Sequence, residues 1–332
     1  MKRLFLAFAA LPLLAAAPAP EKSALAPSEI VAAAPAADWV RIAPSDLMVM
    51  ELAPDSKGRG RRVVIQLMPP PFSQGWVGNI RKLVAARWYD GVSVNRVQDN
   101  YVTQWGDAEG EDPKKAKKLP AGLATPAESE YGVYMREIDD PMSLHLKAIA
   151  DVIESSRDGA DAMGRWTIHY WGRDAYARMV GHINGWQIAA DSGSVLWPVH
   201  CYGMVGVGRG LSPDTGTGAE LYTVIGHAPR HLDRNIALVG RVIEGMEHVS
   251  SLPRGTEVLG FYKAAEERTP ILSVRMGNEV RGLPTFEYLS TESVSFYRYA
   301  DARANRRDAF FNVPSGGVDI CNVPVPVRRT KD

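Results

Sequence analysis

The sequence predicts a mainly β protein in which many short strands form a barrel or a sandwich with a few flanking helices. Its 30 glycines and 23 prolines are distributed along the chain, which favours frequent turns over a helical bundle. Residues 62–68 alternate between apolar and polar side chains, the period of a half-buried strand. Helical spacing is confined to a few segments, which argues against a doubly wound sheet.

The composition excludes several classes of protein. The chain has 332 residues with 38 basic and 38 acidic side chains, so its formal charge is zero. This balance excludes a nucleic-acid-binding protein that depends on neutralising phosphates, and equally an acidic tail protein. An apolar fraction of 45% and a charged fraction of 23% exclude disorder of the whole chain. The length allows one large domain or two ordinary domains.

Residues 1–17 have the three parts of a secretory signal peptide. Two cations precede an apolar run from Leu4 to about Ala17, and small residues follow. The alternative is a membrane anchor, but a spanning helix needs about 20 apolar residues and this run has about 14. We therefore predict export, to the periplasm in particular, without stable membrane insertion after cleavage. Residues 18–38 are rich in alanine and proline and are predicted to be a flexible leader.

The globular domain is predicted over residues 39–276. Its expected strands are bounded by turn residues and cover 47–52, 62–68, short stretches within 89–107, 200–207, 220–226, 236–242 and 271–276. Segments with apolar residues at helical spacing are 73–88, with Ser73 as N-cap, 142–157, 241–252 and 296–311. Residues 108–196 are predicted to be a partly helical insertion, and residues 277–332 a C-terminal extension.

Two short motifs suggest chemistry but also have plainer structural interpretations. Asp214 begins a DTGT sequence, the short signature of aspartic proteases, whose chemistry needs two carboxylates sharing a proton. A single copy would require a dimer, and the alternative is a glycine-rich turn. His227 and His231 have the spacing of helical metal ligands, but Pro229 argues against a helix there. We therefore predict no metal site.

The chain has two cysteines, Cys201 and Cys321. In an oxidising compartment such a pair can form one disulfide. The alternative is two buried free thiols, and the sequence leaves both open. Their spacing does not match a zinc site.

Two segments carry a resemblance to a known family. Residues 79–107 contain a helix leading to Tyr-Asp-Gly, a strand ending in Arg-Val, an aromatic residue, a glutamine and then Gly-Asp. Residues 221–249 contain a Leu-Asp turn and a strand that runs into Gly-Arg-Val and Glu-Gly-Met. With the hairpin at 47–68, this order resembles the cyclophilin-type peptidyl-prolyl cis-trans isomerases. The resemblance implies an eight-stranded antiparallel barrel capped by two helices, with the substrate site on an outer face.

The resemblance also implies a chemistry that needs no nucleophile, metal or cofactor. Rotation about an amide bond has a barrier of about 18–20 kcal/mol. In the twisted state the proline nitrogen regains its lone pair and accepts a hydrogen bond. An arginine that donates there binds the twisted state better than the planar one, and this difference is catalysis. The implied partners are proline-containing polypeptides, here exported proteins.

By motif position, the resemblance implies that Arg96 stabilises the twisted amide and that Gln104 orients the substrate backbone. The implied substrate-binding residues surround the proline, and they are Tyr101, Val102, Glu220, Tyr222, His231 and Leu232. Without the resemblance, Arg96 would be an ordinary strand arginine and Gln104 an exposed strand amide. The aromatic and aliphatic positions would simply be core residues.

Three positions depart from the family pattern. Glu220 occupies a position usually held by glutamine and could pair with Arg96 and weaken it. His231 replaces a tryptophan often found beside the pocket leucine. Trp105 replaces a glycine and is expected to narrow the groove. The departures leave a second function open, a cyclophilin-like module that binds proline segments without catalysis.

Overall fold

In the computed structural model, which describes residues 24–134, 174–191 and 195–330, a closed antiparallel barrel forms the centre of the fold. Its strands, each hydrogen-bonded to the next, are β10 (Met204–Val207), β11 (Leu221–Val224), β5 (Val102–Gly106), β4 (Ser93–Val97), β13 (Thr269–Met276), β2 (Leu47–Leu52), β3 (Arg61–Leu67) and β12 (Leu238–Glu244). β12 pairs with β10 and closes the circle. The predicted eight-stranded antiparallel barrel is therefore confirmed.

Side chains at every second strand position point inward and fill the barrel. In the β2–β3 hairpin, Met48 lies opposite Ile65 and Met50 lies opposite Val63, and all four side chains are buried in the central cluster. Side chains at alternate positions share one face of a sheet, so these four point inward. A small barrel filled in this way leaves no interior cavity for a substrate, and a binding site must lie outside.

Two helices pack against the barrel core. Helix α2 (Gln74–Ala85) buries one apolar face, as its spacing predicts. Ser73 occupies the N-cap position, as predicted, but it has a φ of 56° and its side chain makes no capping hydrogen bond. The helix predicted over residues 241–252 is wrong in its first part. β12 continues to Glu244 because it pairs with β3, and helix α3 covers Glu247–Ser250.

The described part of the insertion forms a second sheet that the sequence did not predict. Its order is β6 (Val133–Tyr134), β9 (Val195–Pro198), β8 (Trp186–Ala190) and β7 (Met179–Ile183). All five residues of β8 are buried, so the strand shows no alternation that would identify it. The helix predicted at 142–157 and the signal peptide at 1–17 lie outside the described residues.

The C-terminal extension forms a third sheet and one helix. β14 (Phe286–Leu289) pairs on one side with β1 (Trp39–Arg41) and on the other with β15 (Val327–Arg329). Helix α4 covers Val294–Ala304, which ends the predicted 296–311 helix seven residues early.

The predicted flexible leader contains a helix, α1 (Pro27–Ala33). Ile30 and Val31 pack against the cluster formed around Phe296 of α4, so the expectation of flexibility is wrong there. A disulfide joins Cys201 to Cys321 and ties the extension to the barrel. Within the described residues, the structure contains no helix that is both long and apolar enough to cross a membrane.

Candidate functional site

Four neighbouring strands bring three predicted site residues into one row. Arg96 on β4 pairs with Gln104 on β5, and Gln104 pairs with Tyr222 on β11. Tyr222 pairs in turn with Gly206 on β10. A Cβ atom at Gly206 would collide with the Tyr222 hydroxyl, so glycine allows that ring to lie over β10. Residues paired across adjacent strands share one face, and the row lies outside the barrel.

Three acceptors fix the Arg96 guanidinium. Its Nε donates to the carbonyl oxygen of Leu259 at 2.7 Å, and its Nη1 donates to Gln104 Oε1 at 3.0 Å. Its Nη2 donates to Gln98 Oε1. A guanidinium carries five N–H groups. Three of them have acceptors, and the other two have none among the described residues.

Aromatic rings flank the same guanidinium. The Arg96 Cζ atom lies 5.7 Å from the ring centroid of Tyr101 and 5.4 Å from that of Phe261, within the range of cation–π attraction. Burial lowers the pKa of Arg96, but a guanidinium remains charged at neutral pH. The Tyr101 ring also stacks with the exposed ring of His231, at 6.4 Å between centroids. The predicted residues Arg96, Tyr101 and His231 are thus adjacent.

Glu220 is linked to Arg96 by hydrogen bonds through the side-chain amide of Gln104. Gln104 Nε2 donates to Glu220 Oε2 at 2.7 Å, while Gln104 Oε1 accepts from Arg96. The anticipated direct pairing of Glu220 with Arg96 is therefore replaced by a bridge. Burial raises the pKa of Glu220, and the hydrogen bond from Gln104 only partly offsets this effect. The carboxylate fixes the Gln104 amide with its oxygen toward Arg96.

A small apolar cluster lies beside this polar row and is separate from the barrel core. Val102, Tyr222 and Val224 form its buried floor. Its half-buried members are Tyr101, Leu232 and Ile236. The structure therefore brings together Tyr101, Val102, Tyr222 and Leu232, the four residues expected to contact a proline ring.

Trp105 does not belong to this surface. Along β5, Val102 and Gln104 face outward, whereas Trp105 is 1% exposed and belongs to the barrel core. The expectation that Trp105 narrows the groove is therefore wrong. The register of β5 turns position 105 inward, and a shift of one residue would have reversed this.

A buried polar network, which no sequence pattern indicates, lies under the apolar cluster. His200 Nδ1 and Asp233 Oδ1 are 2.9 Å apart, and His200 Nε2 lies 2.9 Å from the Tyr222 hydroxyl. A carboxylate can only accept, so Nδ1 carries the proton and the Tyr222 O–H donates to Nε2. Burial lowers the pKa of His200 and keeps it neutral. Burial also raises the pKa of Tyr222, which remains a phenol.

The network continues into the insertion. Arg230 donates from Nε to Asp233 Oδ2 at 2.7 Å, and from Nη1 and Nη2 to both oxygens of Asp174 at 2.8 and 2.9 Å. Burial opposes the ionisation of Asp233, but hydrogen bonds from His200 and Arg230 outweigh it and keep its pKa below the usual range. Asp174 thus attaches the insertion to the loop that carries Leu232.

The remaining motifs are structural. Asp214 accepts from the backbone N–H groups of Gly210 at 2.7 Å and Gly216 at 2.9 Å, as the turn interpretation predicts. His227 and His231 are exposed near a short 3₁₀ helix, Arg230–Leu232. In the described ranges, the structure holds no group of three or more histidine, cysteine, aspartate or glutamate side chains suited to a metal ion.

These features define a class of protein, a closed eight-stranded antiparallel barrel with an arginine-centred site on its outer face. The family model described as "Cyclophilin type peptidyl-prolyl cis-trans isomerase/CLD" matches residues 59–276, which is more than half of the chain. The chain belongs to this family.

Comparison with one solved structure supports the fold. Cyclophilin AquaCyp293 from Hirschia baltica is similar with a TM-score of 0.57 and 19% sequence identity, covering 89% of this chain and 95% of that one. A cyclophilin-type peptidyl-prolyl cis-trans isomerase from Cryptosporidium parvum has a TM-score of 0.36 and 11% identity, covering 69% of this chain and 97% of that one. No curated protein matches this chain. The similarity to AquaCyp293 extends beyond the family-matched region, into the flanking segments.

Proposed function

We propose that this protein catalyses cis–trans isomerisation of Xaa-Pro bonds in exported polypeptides. The observation that carries the proposal is the Arg96 guanidinium, held by three acceptors beside an apolar cluster, with two N–H groups that have no acceptor among the described residues. Such a group is oriented before the substrate binds, so little reorganisation is needed when charge develops on the proline nitrogen.

The surrounding residues support a division of roles. The proline ring would rest against Tyr101, Leu232 and the edge of Tyr222, and this contact would anchor one side of the amide. The substrate backbone on the other side would bind near Gln104. With both sides held, rotation exposes the nitrogen lone pair to Arg96, which binds the twisted state better than the planar one. The catalyst speeds exchange in both directions and does not change the equilibrium.

Two observations support action on exported proteins. Residues 1–17 have the pattern of a secretory signal peptide. The disulfide between Cys201 and Cys321 belongs to a class of bond that persists in oxidising compartments such as the periplasm. We propose a periplasmic location on these grounds.

A second candidate is a module that binds proline segments without catalysis. The observation that favours it is the half-buried Glu220 carboxylate, which is linked to Arg96 through the side-chain amide of Gln104. A negative charge at that position lowers the positive potential that the guanidinium offers to the proline nitrogen. The pocket itself would remain intact.

Exchange NMR of a short Xaa-Pro peptide at equilibrium separates the two candidates. We expect the protein without residues 1–17 to accelerate exchange, and Arg96→Ala to abolish the acceleration. Arg59→Ala is a matched control, because Arg59 is an exposed arginine of the β2–β3 loop. Binding of the peptide without faster exchange would contradict catalysis and favour the binding module.

A further inference from the structure

The turn formed by residues 258–261 presents an exposed apolar surface. Val258 is 80% exposed, Leu259 58% and Phe261 37%. Single exposed apolar residues are common in soluble proteins and need no explanation. Three of them lie within four residues, and a cluster of exposed apolar residues, unlike a scattered one, is a candidate site of interaction.

The backbone of this turn is held in an unfavourable conformation. Leu259 has a φ of 60°, in the left-handed region that bulky residues rarely adopt. Asparagine or glycine would occupy this position at lower cost. An exposed leucine contributes no core packing that would offset the strain. Local strain of this kind clusters at functional sites.

The turn is continuous with the candidate site. The Leu259 carbonyl oxygen accepts from Arg96 Nε at 2.7 Å. Phe261 forms a single β-bridge with Arg96 and places its ring beside the guanidinium. A substrate whose proline lies beside Arg96 would therefore place a neighbouring residue close to Val258 and Leu259.

Arg96 aside, the charged side chains that flank the turn form two ion pairs. Lys263 Nζ lies 3.7 Å from a carboxylate oxygen of Glu257, and Arg254 Nε lies 2.9 Å from Asp99 Oδ1. These four residues carry two positive and two negative charges, so they bring no net charge to the turn. An apolar group therefore suits this surface better than a charged one.

We propose that the 258–261 turn is a specificity subsite that binds an apolar side chain adjacent to the substrate proline. The inference rests on the proposed isomerase function, whose arginine the turn contacts. Its occupant is a residue of the substrate polypeptide, and it makes this protein selective for prolines in apolar segments. Such segments are exposed in unfolded chains and buried after folding.

Matched peptides test this subsite. Two peptide pairs would each differ by leucine or serine at one position, immediately before or immediately after the proline. We expect kcat/KM from exchange NMR to favour leucine about tenfold at one of these positions, within the range that a single apolar contact supplies.

Leu259→Asn is the decisive variant. Asparagine tolerates the left-handed conformation, so the backbone carbonyl that accepts from Arg96 is retained. We expect the leucine-to-serine rate ratio to fall toward one. Leu272→Asn is the control, because Leu272 is 55% exposed on β13 and should keep the wild-type ratio. Val258→Thr, a change of nearly equal volume, should lower the ratio without altering the turn.

The outcomes distinguish failure of the subsite from failure of the isomerase function. Catalysis with no preference at either position in the wild type would overturn the subsite and leave the isomerase standing. An unchanged preference in both Leu259→Asn and Val258→Thr would also overturn it. Absence of catalysis with every peptide would overturn the proposed function and, with it, the subsite.

Discussion

Replacing Arg230 by glutamine removes the cation that joins two buried carboxylates beneath the candidate site. Arg230 makes one hydrogen bond to Asp233 and two to Asp174, and all three side chains are almost fully buried. Breaking a buried ion pair by removing one partner costs about 3–5 kcal/mol. Asp174 loses its cation, whereas Asp233 keeps the hydrogen bonds from the backbone N–H and Nδ1–H of His200, so we expect a loss in unfolding free energy of about 3–5 kcal/mol.

A milder change in the same network provides the comparison. Asp174→Asn leaves Arg230 paired with Asp233 and retains one amide oxygen as an acceptor. It loses one of two charge-assisted bonds and weakens the other, and bonds of this kind contribute about 1.5–3 kcal/mol each. We therefore expect a loss of about 2–4 kcal/mol. Arg329→Gln breaks an exposed pair with Glu244 and should cost under about 1 kcal/mol.

Urea unfolding of the oxidised protein, followed by circular dichroism and by tryptophan fluorescence, measures all three values. The KM for a proline peptide should rise in Arg230→Gln, because Arg230 and Asp233 hold the loop that carries Leu232. Equal losses for Arg230→Gln and Arg329→Gln would refute the reasoning. So would a larger loss for Asp174→Asn than for Arg230→Gln.

Three further predictions concern the disulfide, the buried His182 and the half-buried Glu220. Reduction of Cys201–Cys321 opens a loop of 120 residues and should lower the unfolding free energy by up to about 5 kcal/mol. Burial lowers the pKa of His182 to about 4, so on acidification the unfolded state takes up this proton at a higher pH than the folded state does. The free energy of unfolding should therefore fall by about 3 kcal/mol between pH 6.5 and pH 4. Burial raises the pKa of Glu220. Isomerase activity should fall as the pH drops through this raised pKa, because a protonated carboxyl no longer fixes the Gln104 amide.

Each of these has a matched control. The Cys201→Ser/Cys321→Ser double variant should reproduce the loss seen on reduction, and a variant as stable as the oxidised protein would contradict the estimate. His182→Gln should flatten the acid dependence of stability, and an unchanged slope would assign it to other groups. Glu220→Gln should remove the acidic limb of the activity profile, whereas retention of that limb would exclude Glu220 as its source.

The barrel was predictable because its signals are local. Residues 62–68 form β3 as predicted, but the strand is not half-buried, because Val64 packs in a second cluster and every residue from Val63 to Leu67 is buried. The apolar spacing in α2 matches its buried face. The motif order from 79–107 to 221–249 then indicated the connection between these elements. Composition alone does not distinguish a β-barrel from a β-sandwich.

Helix α1 and strand β8 were harder to predict from the sequence, because tertiary packing determines their structure. The α1 region is rich in alanine and proline and has the composition of a linker, yet contacts with α4 make it a helix. β8 is buried on both faces and lacks alternation. These contacts come from residues far apart in the chain.

The candidate site was predictable in part. The motif indicated Arg96, Gln104 and Tyr222, and strand register brings them into one row. It did not indicate His200 or Asp174, whose partners are distant in sequence. The error at Trp105 has the same origin, since the face that a strand residue occupies depends on pairing.

The most direct test concerns what Arg96 contributes to the reaction. The rate of peptide exchange and the Kd of the same peptide would be measured for wild type and Arg96→Ala. Because Arg96 acts on the twisted state, we predict that exchange falls by about 100-fold or more while the Kd changes by less than about threefold. A rate that falls only in proportion to affinity, or a rate that does not change, would contradict the account.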